Sequence, residues 1–375
     1  MHPGRIPKKR EKLSLILCLA LTCLVSYLGG SIPVEKTLSD MSIREKAGQM
    51  ILVYNSPYEF LDKYNIGGVL IMQSMLKNAD RIKNELQNTQ QKMKIPLLIA
   101  IDQEGGSVNR LGYLPQWKYI PSAQIMAHWP SDSIFTYQKR VAETLRSLGI
   151  NLNLAPVLDP AKNFSGNQTY IDQRKRSYGT SPEEIEPPAA AFINAFSENN
   201  IGCIVKHFPG YDVTVNSDQK IAVSRADSMQ IAGYMKPFHS LQRYHCGILM
   251  SSILYENMCN VPAVFCSEMV KLAREISPDG IIMTDDLWGV ALRSFALPGH
   301  KIRTLTYPDT AFIKIVEYAV KAGNDMLMIT YPEKVPLILD TIERLASDDP
   351  AILNHVNSAV RRIISLKTKL KLSAR

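Results

Sequence analysis

Lys206, His207, Asp212, Asn216, Ser217 and Asp218 fall within thirteen residues, directly after the apolar run Gly202-Cys203-Ile204-Val205. The run reads as a buried strand, and Pro209-Gly210 sets a sharp turn after it. A cation, an imidazole and several polar groups at the end of one strand can project together into a cleft. Loops held on a rigid scaffold are where ligands bind and protons move. The plainer alternative is a polar surface loop with a hydrogen-bonded histidine. Other clusters weigh against it: Asp102-Gln103-Glu104-Gly105-Gly106, Pro156-Val157-Leu158-Asp159-Pro160, Ser251-Ser252 and Asp285-Asp286 each follow an apolar run of their own. Carboxylates that converge on a Lys-His pair, with no metal motif and no Ser or Cys elbow, suit glycoside hydrolysis. A retaining enzyme needs a carboxylate nucleophile beneath the sugar and a proton donor beside the leaving oxygen, about 5–5.5 Å apart. The spacing also admits a Schiff-base lysine at Lys206. With His207 adjacent and acids nearby, Lys206 reads instead as a charged ligand for hydroxyls.

The elements that must position these groups are strands and helices in alternation. Apolar runs suited to buried strands occur near 49–54 (Gln49 excluded), 67–72, 97–101, 152–157, 202–206, 247–252, 280–284 and 325–329. Helical periodicity covers 78–93, 132–148, 182–199, 227–245, 309–322, 333–347 and 350–370, and a further helix is expected after Pro33, with Leu38–Ser42 at its head. Continuous apolar strands alternating with amphipathic helices mean a parallel sheet. Eight such units predict a closed (β/α)₈ TIM-type barrel, whose strand ends share one catalytic rim. An open doubly wound sheet would want a Gly-rich phosphate loop after its first strand, and the sequence has none. A single barrel domain is therefore expected over residues 35–370, after an N-terminal segment, 1–31.

The 375 residues are 46% hydrophobic and 21% charged, with a formal net charge of +8. The charge is unevenly spread. Residues 1–30 carry +4 and residues 361–375 carry +6, so the body between them is −2. A nucleic-acid-binding body is not indicated. Basic residues Arg5–Lys12 precede a mostly apolar run, Leu13–Leu28, broken by Gly29-Gly30-Ser31. This reads as a signal peptide or, if uncleaved, a membrane anchor, and predicts a cell-envelope location, exported or membrane-anchored. The run of about 16 residues is short of the ~20 that span a bilayer. The six cysteines show no C-x-x-C or Cys/His metal spacing, so no metal and no cofactor are expected. A Cys259–Cys266 disulfide is left open.

From Leu38 to Tyr331 the chain resembles glycoside hydrolase family 3, specifically the single-barrel bacterial β-N-acetylglucosaminidases. The resemblance rests on motifs in the family's order: Ile66-Gly67-Gly68-Val69-Leu70, Asp102-Gln103-Glu104-Gly105-Gly106, Leu154-Ala155-Pro156-Val157-Leu158-Asp159, Arg176-Ser177-Tyr178-Gly179, Lys206-His207-Phe208-Pro209-Gly210, Thr284-Asp285-Asp286-Leu287 and Ala322-Gly323-Asn324-Asp325-Met326. It implies a carbohydrate substrate ending in N-acetylglucosamine, from peptidoglycan fragments or related glycans. It also implies Asp285 as nucleophile, with Asp286 structural, and Asp102, Arg110, Arg176, Lys206 and His207 as ligands of the sugar.

The chain departs from the family pattern in three places. Ser107 stands where an Arg usually follows the Gly-Gly turn, and Ser252 where a His is common after the sixth strand. The third departure lies in the loop itself. The family continues His-Gly after its Lys-His-Phe-Pro-Gly and later carries Asp-Ser-His, whose His is the proposed acid/base. Here Tyr211 takes the first His position, and Asn216-Ser217-Asp218 stands where Asp-Ser-His is expected. A positioned general acid is worth roughly 10²–10⁴-fold. Asp218 is the candidate substitute, provided burial or the charge of Asp285 holds a proton on it. Asp212 is the second candidate. The competing expectations are a catalytically impaired, carbohydrate-binding envelope protein and a β-glycosidase of other sugar specificity.

Overall fold

The computed structural model describes residues 32–299 and 306–372. Eight parallel strands carry the fold: β1 (Ile51–Tyr54), β2 (Gly68–Ile71), β3 (Leu98–Ile101), β4 (Leu152–Asn153), β5 (Gly202–Phe208), β6 (Gly247–Met250), β7 (Ile281–Met283) and β8 (Leu327–Ile329). Each pairs in parallel with its neighbour in sequence, as in Val53↔Val69, Val69↔Ile99, Ala100↔Leu152 and Leu152↔Gly202. β8 returns to β1 through Ile51↔Leu327. A bridge between Met283 and Met326, with Thr284 N donating to Met326 O at 2.9 Å, joins β7 to β8 and closes the cylinder. The chain is a (β/α)₈ barrel. β2 and β3 are buried along their whole length, as strands covered on both faces must be.

The outer helices follow the expected periodicity. They include Ala79–Lys92, Ser131–Ser147, Pro182–Ser197, Ser228–Ser240, Asp309–Ala322, Val335–Asp348 and Pro350–Lys369. Three expectations are corrected. The first helix is two helices, Val34–Ser39 and Ile43–Gln49, because Ser42 and Glu45 form a reciprocal capping box that starts a new helix. An additional helix, Ser267–Ile276, buries Met269, Val270, Ala273 and Ile276 between β6 and β7. The fourth strand is also shorter than expected, two residues followed by the irregular Leu154–Pro160.

Outside the barrel, Val223–Ser224 and Leu254–Tyr255 form a short parallel pair that ties the segment after β5 to the segment after β6. Cys259 and Cys266 are joined in a disulfide beyond that pair. The expected N-terminal signal or anchor lies outside the described residues. Among the described residues no helix is long and apolar enough to cross a membrane.

Candidate active site

The C-terminal strand ends converge on a pocket of about 170 Å³ lined by Asp102, Glu104, Arg110, Tyr170, Arg176, Lys206, His207, Tyr211, Asn216, Ser217, Asp218 and Asp285, over an apolar floor of Leu154, Leu249 and Met328. All seven residues expected to bind or act on substrate therefore share one cavity. It is small beside the several-hundred-Å³ sites that take larger ligands, and its scale is one sugar unit. A larger groove of about 300 Å³ lies between Pro160–Phe164 and Gly233–Pro237, but it is mostly apolar and its titratable groups are Lys162, Tyr234 and Lys236, with no carboxylate.

One wall is an ion-pair network. After β3, Gly105 and Gly106 take positive φ values of 99° and 57°, a turn that L side chains resist. The turn folds Glu104 inward and brings the chain back, so that Gln103 Oε1 accepts from the backbone N–H of Arg110 at 2.8 Å and of Leu111 at 3.2 Å. Arg110 Nη2 then reaches Asp102 Oδ2 at 3.3 Å. Arg176 grips Glu104 with two parallel bonds of 2.8 and 2.9 Å. Lys206 bonds Asp102 and, at 2.7 Å, Glu104. Burial alone would raise the Glu104 carboxyl. The charges of Arg176 and Lys206 more than offset it and hold the group far below the usual carboxylate range. Burial would likewise strip the proton from Lys206, but Asp102 and Glu104 hold its pKa above the ordinary value. A cationic, doubly paired Lys206 is no Schiff-base nucleophile, and it presents its charge to a bound polyol instead.

The opposite wall holds the other carboxylates. Asp285 follows β7 and is held by neutral donors: Ser252 Oγ at 3.0 Å on Oδ2 and the Asp286 N–H at 2.8 Å on Oδ1. Burial pushes its pKa up to about 6, the charge of Asp218 adds to the rise, and His207 opposes it. Asp286 turns away. Its carboxylate accepts from the N–H groups of Trp288 and Thr330, each at 3.0 Å, and from Thr330 Oγ1 at 2.5 Å, pinning the end of β7 to the end of β8. Its structural role agrees with the reading from sequence.

His207 owes its orientation to Asp159, which is fully buried after β4. Asp159 Oδ1 accepts from the His207 N–H at 3.0 Å and the Tyr211 N–H at 2.8 Å, while Oδ2 pairs with His207 Nδ1 at 2.6 Å. Asp218 sits on the exposed rim, its N–H bonded to Asn216 Oδ1 at 2.9 Å. The burial expected for it is therefore not met. Asp212 is corrected outright. It does not line the pocket but lies buried beneath the loop, its Oδ2 accepting from Ser224 Oγ at 2.7 Å, and burial raises its pKa to about 6.

Sequence reasoning missed Glu104 and Asp159 as site residues. Both stand inside quoted motifs, but their partners Arg176 and His207 are 72 and 48 residues away in sequence, and only the closed barrel joins them. A buried acid in a motif beside a separate Arg or His motif was the available signal.

Comparison with known proteins agrees with this geometry. The model of the family described as Glycosyl hydrolase family 3 N terminal domain matches residues 42–366. Beta-hexosaminidase A of Pseudoalteromonas piscicida is 33% identical over 343 residues, covering 84% of this chain and 55% of that protein. The Beta-hexosaminidase of Shewanella frigidimarina is 29% identical over 279 residues, 70% of this chain and 74% of that protein. Among solved structures, a Beta-N-acetylhexosaminidase from Beutenbergia cavernae shares the fold with a TM-score of 0.74 at 21% identity, over 88% of this chain and 99% of that one. With a family match over most of its length, and with five of its seven quoted motifs contributing side chains to one pocket, the chain belongs to glycosyl hydrolase family 3.

Proposed function

We propose that the chain is a retaining exo-glycosidase that removes terminal β-linked N-acetylglucosamine from peptidoglycan fragments or related glycans. The observation that carries the reading is a division of labour among the pocket's carboxylates. Asp102 and Glu104 are held by Arg110, Arg176 and Lys206, whereas Asp285 and Asp218 have no ion pair among the described residues. The first pair is fixed in place to receive sugar hydroxyls through charge-assisted hydrogen bonds. The second pair is free for chemistry.

In the first step Asp285 attacks the anomeric carbon as the glycosidic C–O bond breaks, and Asp218 gives its proton to the departing oxygen. In the second, Asp218 takes a proton from water, the water oxygen bonds to the anomeric carbon, and Asp285 is released. The starting state needs one carboxyl ionised and one protonated. The names of the relatives support the choice of N-acetylhexosamine as the sugar.

The test is hydrolysis of an activated aryl β-N-acetylglucosaminide and of a β-linked N-acetylglucosamine disaccharide, with the anomeric configuration of the first-formed product read by NMR. Turnover of both with retention is expected. Sugar binding without turnover of either overturns the reading.

The second reading, a carbohydrate-binding protein on an impaired catalytic pocket, draws on one observation: the pocket's histidine, His207, is engaged with Asp159, and the loop supplies no other. It predicts that Asp285→Asn keeps the biological role intact. Specificity for another sugar is tested with a panel of aryl glycosides. A cell-envelope location, with or without membrane attachment through residues 13–28, is supported by the basic and then apolar residues 5–28. Fractionation of cells bearing the tagged full chain tests it; recovery in the cytoplasm alone contradicts it.

A further inference from the structure

The loop Tyr211–Asp218 has no secondary structure of its own, yet it must hold a proton donor against a substrate. One side chain closes it. The Tyr211 hydroxyl donates to Val215 O at 2.6 Å and accepts from the Ser217 N–H at 2.7 Å. A single oxygen thus joins both sides of the turn at the residue before Asp218. The ring is 4% exposed, with Tyr170 and His207 at its faces and edges, at centroid distances of 6.1 and 5.8 Å. Its backbone N–H is bonded at 2.8 Å to Asp159 Oδ1, the atom that also accepts from the His207 N–H. Beyond the hydroxyl, Asn216 Oδ1 accepts from the Asp218 N–H. The chain of contacts runs from a fully buried acid, through a rigid aromatic ring, to Val215 and Ser217 in the turn that leads into Asp218.

We infer that Tyr211 is a positioning residue for the acid/base step: its hydroxyl clasps the loop so that Asp218 faces the glycosidic oxygen. This rests on the assignment of Asp218 made above. Asp218 is exposed, and among the described residues no hydrogen bond or ion pair fixes its carboxylate, so its position depends on its backbone, and that backbone depends on Tyr211. Burial raises the phenol's pKa to about 12, so the hydroxyl keeps its proton and both bonds over the whole working range. Tyr211 thereby turns a departure from the family pattern into part of the site.

The test uses the full chain with Tyr211→Phe, which keeps the ring and removes only the hydroxyl, and Asp218→Asn, singly and combined. Rates on the disaccharide, whose leaving group needs a proton, are compared with rates on an activated aryl glycoside, whose leaving group does not. Hydrogen–deuterium exchange at the Ser217 amide is read in parallel. For Tyr211→Phe the expected results are a fall of about 10–100-fold in kcat/KM on the disaccharide, a change within about 3-fold on the aryl glycoside, and faster Ser217 exchange. In the Asp218→Asn background, Tyr211→Phe is expected to cost nothing further, because the two act through one group. An equal loss on both substrates, full additivity of the two changes or unaltered Ser217 exchange overturns the clasp while the Asp218 assignment stands. An Asp218→Asn enzyme as fast as wild type on the disaccharide shows instead that the assignment itself fails, and the inference falls with it.

Discussion

Ser252 Oγ donates a 3.0 Å hydrogen bond to Oδ2 of Asp285, joining the end of β6 to the proposed nucleophile at the end of β7. The bond favours the ionised form of a carboxyl that burial pushes up to about 6. Attack requires that form, so kcat/KM should rise with pH through about 6. Ser252→Ala removes one of the groups that lower the pKa, so the acid limb should move up by roughly half to one pH unit. A pH–rate profile of wild type and variant checks this, and an unmoved limb contradicts it.

Asp218 acts on the same limb from the other side, since its charge raises the Asp285 pKa. Asp218→Asn should therefore shift the limb downward while slowing hydrolysis of the disaccharide by about 10²–10⁴-fold. An activated aryl glycoside should lose far less in its first step. Added azide, which needs no general base to attack the glycosyl-enzyme, should restore turnover and give a glycosyl azide. No azide product and no shift of the limb would remove Asp218 from the mechanism.

Glu104 binds Arg176 and Lys206 and is itself only 6% exposed. Glu104→Gln leaves two buried cations short of a partner, a loss of about 3–5 kcal/mol by analogy with other broken buried pairs. The sign with pH follows from the depressed pKa. The carboxylate's stabilising contribution is present above the unfolded-state pKa of about 4.3 and is lost as pH falls toward the folded value. Thermal melts should thus show a wild-type advantage that is full at pH 6 and shrinks below about pH 4. An advantage independent of pH contradicts the ion-pair account.

At the other end of the barrel, Lys367 on the final helix is fully buried with Gln49 Oε1 at 2.7 Å, and burial lowers its pKa to about 7. Between that value and the unfolded-state value of about 10.4, the unfolded chain binds the extra proton, so Lys367 makes stability rise with pH. The stability difference between wild type and Lys367→Met should change on the order of 1 kcal/mol per pH unit across pH 7–10, in favour of wild type as pH increases. Denaturant unfolding at several pH values measures it, and a flat difference contradicts the assigned protonation.

The barrel was legible because its strands are buried on both faces and its helices are striped. Runs such as Gly68–Ile71 and Leu98–Ile101 need no tertiary context to be recognised. The helix Ser267–Ile276 carried the same kind of signal in Met269, Val270, Ala273 and Ile276, and Ser42-x-x-Glu45 announced the break between the first two helices. Both were readable and overlooked. The pairings of Glu104 with Arg176 and of Asp159 with His207 belong to a different class, since they join residues brought together only when the barrel closes. The clasp of Tyr211 on Val215 and Ser217 was beyond the sequence for another reason: residue type alone marked Tyr211 as a departure, and only the loop's path shows what its hydroxyl reaches.

Asp285 as the nucleophile is the claim on which the rest depends, and covalent trapping tests it most directly. The full chain is incubated with a fluorinated N-acetylglucosaminyl inactivator that forms the glycosyl-enzyme but slows its hydrolysis, and the adduct is located by intact-mass and peptide mass spectrometry. One added sugar per chain, on Asp285, with no adduct on Asp285→Asn, is the predicted result. An adduct on another side chain, or turnover of substrate by Asp285→Asn at the wild-type rate, contradicts it.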